Sequence, residues 1–150
     1  MSTTSQDFSV VDISRSKART VNAVPSGSTN TGPTGMTYTT NAVAKVDGES
    51  VTVQGTLTIT AVGNQTGNLV ISLSGLDPIP ASVGISGAVV SLSVSGVTAG
   101  AGYLQGNATN SNTVAGVISM QLSHVIAGVL TPTTVADLTV PAAIGFRFSY

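Results

Sequence analysis

Cysteine and tryptophan are both absent from this chain of 150 residues. Without cysteine there is no disulfide framework, no thiolate zinc site and no thiol nucleophile. Charge is nearly absent too. Charged residues make up 7% of the sequence, against about 25% in an ordinary soluble protein. The formal net charge is −1, so no general basic field draws nucleic acid or anionic lipid. Long hydrophobic runs are missing as well. The most apolar window, Val114 to Leu130, is interrupted by Ser119, Gln121, Ser123 and His124 and followed by Pro132. It is too short and too polar for a membrane-spanning helix. Met1 to Gln6 is polar and uncharged, and no apolar run of signal-peptide length follows. The expectation is a soluble protein without membrane insertion.

What remains is 41% apolar residues and 17 glycines, with Ser, Thr and Asn filling much of the rest. Disordered chains combine low hydrophobicity with high charge, and this chain has neither. The length suits one domain with a real core. A neutral surface of small residues fits a contact surface, because charge is depleted at buried interface cores.

The few charges divide the chain. Of 5 basic and 6 acidic residues, Asp7, Asp12, Arg15, Lys17 and Arg19 all lie before residue 20. The segment from Pro25 to Gly35 is rich in Gly, Pro, Ser and Thr and lacks periodicity, as linkers do. Residues 1–35 are therefore expected to form a docking arm and linker, and residues 36–150 a β-domain. In an extended arm Arg15, Lys17 and Arg19 point the same way. With the apolar flank of Phe8, Val10, Val11 and Ile13, they are the candidate residues for docking on a partner. They are too few for a nucleic-acid tail.

From residue 36 onward the period is 2. Val51, Val53, Leu57 and Ile59 alternate with Thr52, Gln54, Thr56, Thr58 and Thr60, the pattern of a half-buried strand. Asp47-Gly48 stands between this run and Tyr38–Val46, which predicts an antiparallel hairpin turning there. Further faces are Leu69, Ile71 and Leu73; Val90, Leu92 and Val94; and Ile118, Met120 and Leu122, with Ser119, Gln121 and Ser123 outward. The last is Ile144, Phe146, Phe148 and Tyr150, opposite Gly145, Arg147 and Ser149. Residues 101–107 make a shorter candidate strand around Tyr103. Turn-rich gaps are expected at Gly63–Gly67 and Asn107–Asn112, and a loop from Thr131 to Asp137. Many short strands at this spacing predict an all-β fold, an antiparallel β-sandwich or jelly roll with an extended N-terminal arm.

Chemistry finds little foothold. His124 is the single histidine and sits in phase with Ile118, Met120 and Leu122, so a structural role is expected. Asp47 and Glu49 flank a turn, where Asp has a conformational reason to be present. Asp77 precedes Pro78, and Asp137 lies in the expected loop. No nucleophile-elbow pattern accompanies the many serines. Gly96, Gly100, Gly102 and Gly106 lack the Lys and the helix of a phosphate-binding loop. Asn64-Gln-Thr66 and Asn107-Ala-Thr109 match the glycosylation sequon, without a secretory signal. Catalytic, metal and cofactor sites are not expected.

The string YTTNAVAKVDGESVTVQGTLTIT at 38–60, then GNQTGNLVISLSGLDPIP at 63–80 and IGFRFSY at 144–150, resembles small β-domains of bacteriophage virions. Such domains occur in tail-fibre tips, head fibres and capsid decoration proteins. The resemblance implies a trimeric, non-enzymatic protein on the virion exterior, assembled in the host cytoplasm. The chain has no heptads, collagen-like triplets or shaft repeat. An arm, a linker and one domain resemble the plan of a capsid decoration or cement protein. Its expected partners are copies of itself and the major capsid protein or another virion protein. The alternative is a receptor-binding fibre tip that recognises host-surface glycan through Gly63–Gly67 and Asn107–Thr113.

Overall fold

The computed structural model describes residues 18–47, 50–76, 88–98, 104–110 and 117–149. These residues are all-β apart from one turn of 3₁₀ helix, Val135–Asp137. The strands are β1 (Ala18–Asn30), β2 (Thr37–Asp47), β3 (Ser50–Ala61), β4 (Gln65–Ser74) and β5 (Ala88–Val97). They continue with β6 (Leu104–Asn110), β7 (Ile118–Ile126), β8 (Val129–Pro132) and β9 (Leu138–Ser149).

All strand pairs are antiparallel, in the order β4-β1-β2-β3-β9-β5-β6-β7-β8, and β4 also pairs with β7. The succession of ladders thus returns on itself, and the sheet is curled like a half-barrel. Three strands change partner along their length: β1, β5 and β7, the last passing from β4 to β8 after Gln121. β1 pairs with β2 through Ala18–Val21 and with β4 from Asn22 onward. β5 pairs with β6 through Ala88–Val90 and with β9 from Ser91 onward. Such strands bend with the sheet and close its concave side over a core.

Strict alternation fills that core. Val53, Leu57 and Ile59 of β3 are buried, as are Ile144, Phe146 and Phe148 of β9. Leu57 lies opposite Ile144, and Val53 opposite Phe148. Leu69, Ile71 and Leu73 of β4 and Ile118, Met120 and Leu122 of β7 are wholly excluded from solvent. Ile71 pairs with Met120, and Leu73 with Ile118. Apolar pairs across a ladder stabilise it beyond simple burial. Burying each Leu or Ile side chain contributes about 1.5–3 kcal/mol.

Residues 18–30 depart from the expectation of an arm and linker. They form β1, which joins β2 to β4, with Val21 and Ala23 in the core and Pro25 buried opposite Ile71. The segment escapes detection because its inward positions carry the small residues Ala23 and Pro25, which resemble linker composition. The chain after β1 is also held. Thr31 N and Thr31 Oγ1 each donate to Asn64 O at 3.0 Å, and Asn64 N donates to Thr34 O at 2.8 Å. Thr34 N donates to Asn64 Oδ1 at 3.2 Å.

Other differences are local. Asp47 pairs with Ser50, so the hairpin connection falls at positions 48 and 49, one residue later than Asp47-Gly48 predicts. The expected gap at Asn107–Asn112 is strand β6 as far as Asn110, because Ala108 and Thr109 pair with Met120 and Ser119. Residues 101–103 of the shorter candidate strand lie outside the described residues. Ser123, outward by alternation, is instead buried between the buried Leu122 and His124, where β8 joins β7.

Gly96 marks a shift of register between β5 and β9. Its φ is +71°, and a Cβ there would lie 2.5 Å from Thr139 O and 2.7 Å from Pro141 O. Only glycine meets both constraints without strain.

Candidate functional site

The outward face of β1, β2, β3, β9 and β5 is built from short polar side chains. Cross-strand register lines them up in rows. Thr20, Val43, Gln54, Arg147 and Ser91 occupy successive opposed positions, and so do Ala18, Lys45, Thr52 and Ser149. A third row holds Asn41, Thr56, Gly145 and Ser93. These rows follow from the period of 2. Val43, Lys45, Gln54, Thr56 and Arg147 each adjoin a buried core residue in sequence, so their side chains point away from the core.

Two clefts lie on this face. One, of about 440 Å³, is lined by Ala18, Val43, Lys45, Thr52, Gln54 and Arg147. The other, of about 500 Å³, shares Val43, Gln54 and Arg147 and extends to Asn41, Thr56 and Ser93. Gly145 has no side chain to fill its floor, while Leu92 and Phe146 add apolar surface. Lys45 and Arg147 are both exposed. They stand on β2 and β9, with β3 between them. Among the described residues that line the two clefts there is no carboxylate. Thr52 Oγ1 and Ser149 Oγ lie 3.1 Å apart and hydrogen-bond across the ladder. The arrangement offers two cations, two amides and several hydroxyls to a ligand, with a small apolar strip at Val43.

At the far end of the sheet, His124 is buried and its Nδ1 lies 3.3 Å from Thr133 Oγ1. Thr133 is itself wholly buried. Its backbone N–H donates to Leu122 O at 2.9 Å, and its carbonyl accepts from Leu69 N at 2.8 Å. It therefore fills the gap where β4 and β7 part. Asp137 also has a local partner set. Its Oδ2 accepts from Thr134 N at 2.7 Å and from Thr134 Oγ1 at 3.0 Å, which closes the turn before β9. The stretch expected as a loop thus contains the end of β8, a buried threonine and a capped turn.

Of the docking residues read from the sequence, Phe8, Val10, Val11, Ile13, Arg15 and Lys17 lie outside the described residues. Arg19 is exposed in β1 opposite Ala44. The loop expected at Gly63–Gly67 is a turn at Gly63-Asn64 followed by the start of β4. Among the described residues, no three His, Cys, Asp or Glu side chains gather as metal ligands, and no helix is long and apolar enough to cross a membrane.

The cleft residues Lys45, Gln54 and Arg147 were not singled out by sequence. Their outward phase was readable, but only the order β2-β3-β9 brings them together.

No family model, curated protein or solved structure matches the chain.

Proposed function

We propose that this protein is a non-enzymatic structural component of a bacteriophage virion exterior, a homotrimeric capsid decoration protein. The observation that carries this reading is the β7–β8 hairpin. Ile126, Val129 and Leu130 are 42%, 62% and 52% exposed there, on a chain with few charges to keep it solitary. Ile126 and Val129 are opposed across the hairpin, and among the described residues β8 forms a ladder with β7 alone. An unpaired strand edge bearing exposed apolar side chains favours assembly with another protein surface. The likeness of residues 38–80 and 144–150 to virion β-domains points the same way. The curled sheet fits a flattened sandwich of jelly-roll kind, with β1 and β5 as the strands that turn its corners.

In this role the protein adds buried contact area across capsid subunit boundaries and stabilises the shell by mass action. Residues 1–17 are the docking arm in this reading, since β1 belongs to the sheet. Sedimentation equilibrium is expected to give a trimer. A chain lacking residues 1–17 should trimerise and fail to co-sediment with undecorated particles. A stable monomer at micromolar concentration removes the trimer, and unimpaired co-sedimentation moves attachment to the β-domain.

A second reading is favoured by the polar clefts: recognition of host-surface glycan by the outward face. Its hydroxyl and amide side chains match the hydrogen bonding of a saccharide. The contact residues then lie on the strands around Gln54 and Thr56, rather than at Gly63–Gly67 and Asn107–Thr113.

A further inference from the structure

We propose that the paired clefts over β2, β3 and β9 bind an acidic saccharide, with Arg147 and Lys45 holding its carboxylate. This rests on the second reading above and narrows it to one class of glycan.

Charge sign is the first support. The chain has few cations, yet two of them line one cleft of about 440 Å³ whose described lining residues include no carboxylate. Placement is the second support. Arg147 faces Gln54 directly across the β3–β9 ladder. Lys45 faces Thr52 directly across β2–β3. The two cations therefore approach one carboxylate from opposite sides of β3. The guanidinium offers a planar fork that matches carboxylate geometry, and the ammonium adds a compact charge.

The surroundings favour a sugar over an acidic peptide. Gln54, Thr52, Asn41, Thr56 and Ser93 supply hydrogen-bonding groups around the charged pair. Val43, shared by both clefts, supplies an apolar strip for the C–H face of a ring. The two volumes lie within the usual range of about 300–1,000 Å³ for ligand sites. Because they adjoin through Val43, Gln54 and Arg147, they suit successive residues of an oligosaccharide.

The test uses the full chain and defined probes in calorimetric titrations. Oligogalacturonate is the acidic probe, and its methyl ester is the same chain with the charge removed. Oligoglutamate is the acidic peptide. Oligogalacturonate should bind saturably and weaken as salt is raised, because exposed charges are screened. The ester and the Arg147→Gln variant should each bind about tenfold more weakly, the loss expected for one charge-assisted contact. Lys45→Gln should weaken binding about threefold, as a single exposed charge does. Both side chains are exposed, so unchanged melting temperatures should accompany these losses. Arg147→Lys, which keeps the charge without the fork, should lie between wild type and Arg147→Gln.

Equal binding of acid and ester overturns the carboxylate role and leaves glycan recognition standing. Absence of binding to either saccharide at millimolar concentration overturns both. Equal or tighter binding of oligoglutamate overturns the choice of a saccharide. Unchanged affinity in both cation variants overturns the assigned site.

Discussion

The middle of the sheet and the β7–β8 hairpin handle apolar side chains in opposite ways. In β3 and β9 each strand has a neighbour on both sides. Val53, Leu57, Ile144 and Phe146 are buried, while Gln54, Thr56 and Arg147 face water. At the hairpin one edge of β8 forms no ladder among the described residues, and Val129 and Leu130 are largely exposed. Burial alternates through β3 and β9, whereas Leu122, Ser123 and His124 are buried in succession and residues 126–130 are exposed in succession. Alternation buries a side chain only where a second layer of the curled sheet lies over it. The hairpin extends past that cover, so its apolar residues are available to something else.

The sharpest way to break this comparison is a cavity at the centre. Leu57→Ala should destabilise the fold by about 2–5 kcal/mol and lower Tm by about 10 °C in calorimetry. A loss below about 1 kcal/mol would mean that the centre is not close-packed.

Next in size is the buried polar pair at the base of the hairpin. Thr133→Val keeps the shape and the two backbone hydrogen bonds but leaves His124 Nδ1 without its hydroxyl partner. The expected cost is about 1–3 kcal/mol in chemical denaturation, the desolvation penalty of an unmatched buried group. An unchanged midpoint would show that the pair adds nothing to the junction of β4, β7 and β8.

A gain is expected at the hairpin tip. Ala127 has φ +50° and Gly128 φ +80°, the positive pair that a two-residue type I′ turn needs. Alanine is strained there and asparagine tolerates the region. Ala127→Asn should stabilise by about 0.5–1 kcal/mol. A lower Tm would show that the turn is not the strained element.

The smallest effect on stability is expected at the exposed residues themselves. Leu130→Lys should change unfolding free energy by less than about 0.5 kcal/mol. The same substitution should shift the sedimentation profile toward monomer, if the hairpin is a contact between copies. A loss comparable to that of Leu57→Ala would place Leu130 in the core and erase the contrast between the regions.

Much of the strand content was legible from side-chain alternation. Residues 51–60, 69–73, 118–122 and 144–148 were each read with the correct inward face, since a half-buried strand writes its burial directly into sequence. Strand β1 was not legible. Its inward Val21, Ala23 and Pro25 include only one bulky apolar residue, and its other half resembles a linker. Burial of Ser123 was equally hidden, because it breaks the alternation of β7, where Leu122, Ser123 and His124 are all buried.

The candidate site shows the same division more clearly. Composition by itself determined that the chain is nearly uncharged and that thiol chemistry is excluded, and alternation that it builds strands. Alternation determined that Gln54 and Arg147 face outward. What only the tertiary structure decided is which outward residues are neighbours. Positions 45, 54 and 147 lie far apart along the chain and meet because β3 pairs with β2 on one side and β9 on the other. The physical reason is that side-chain period is a local property of a strand. Partner choice and register instead arise from long-range ladders and the packing of the curled sheet over its core.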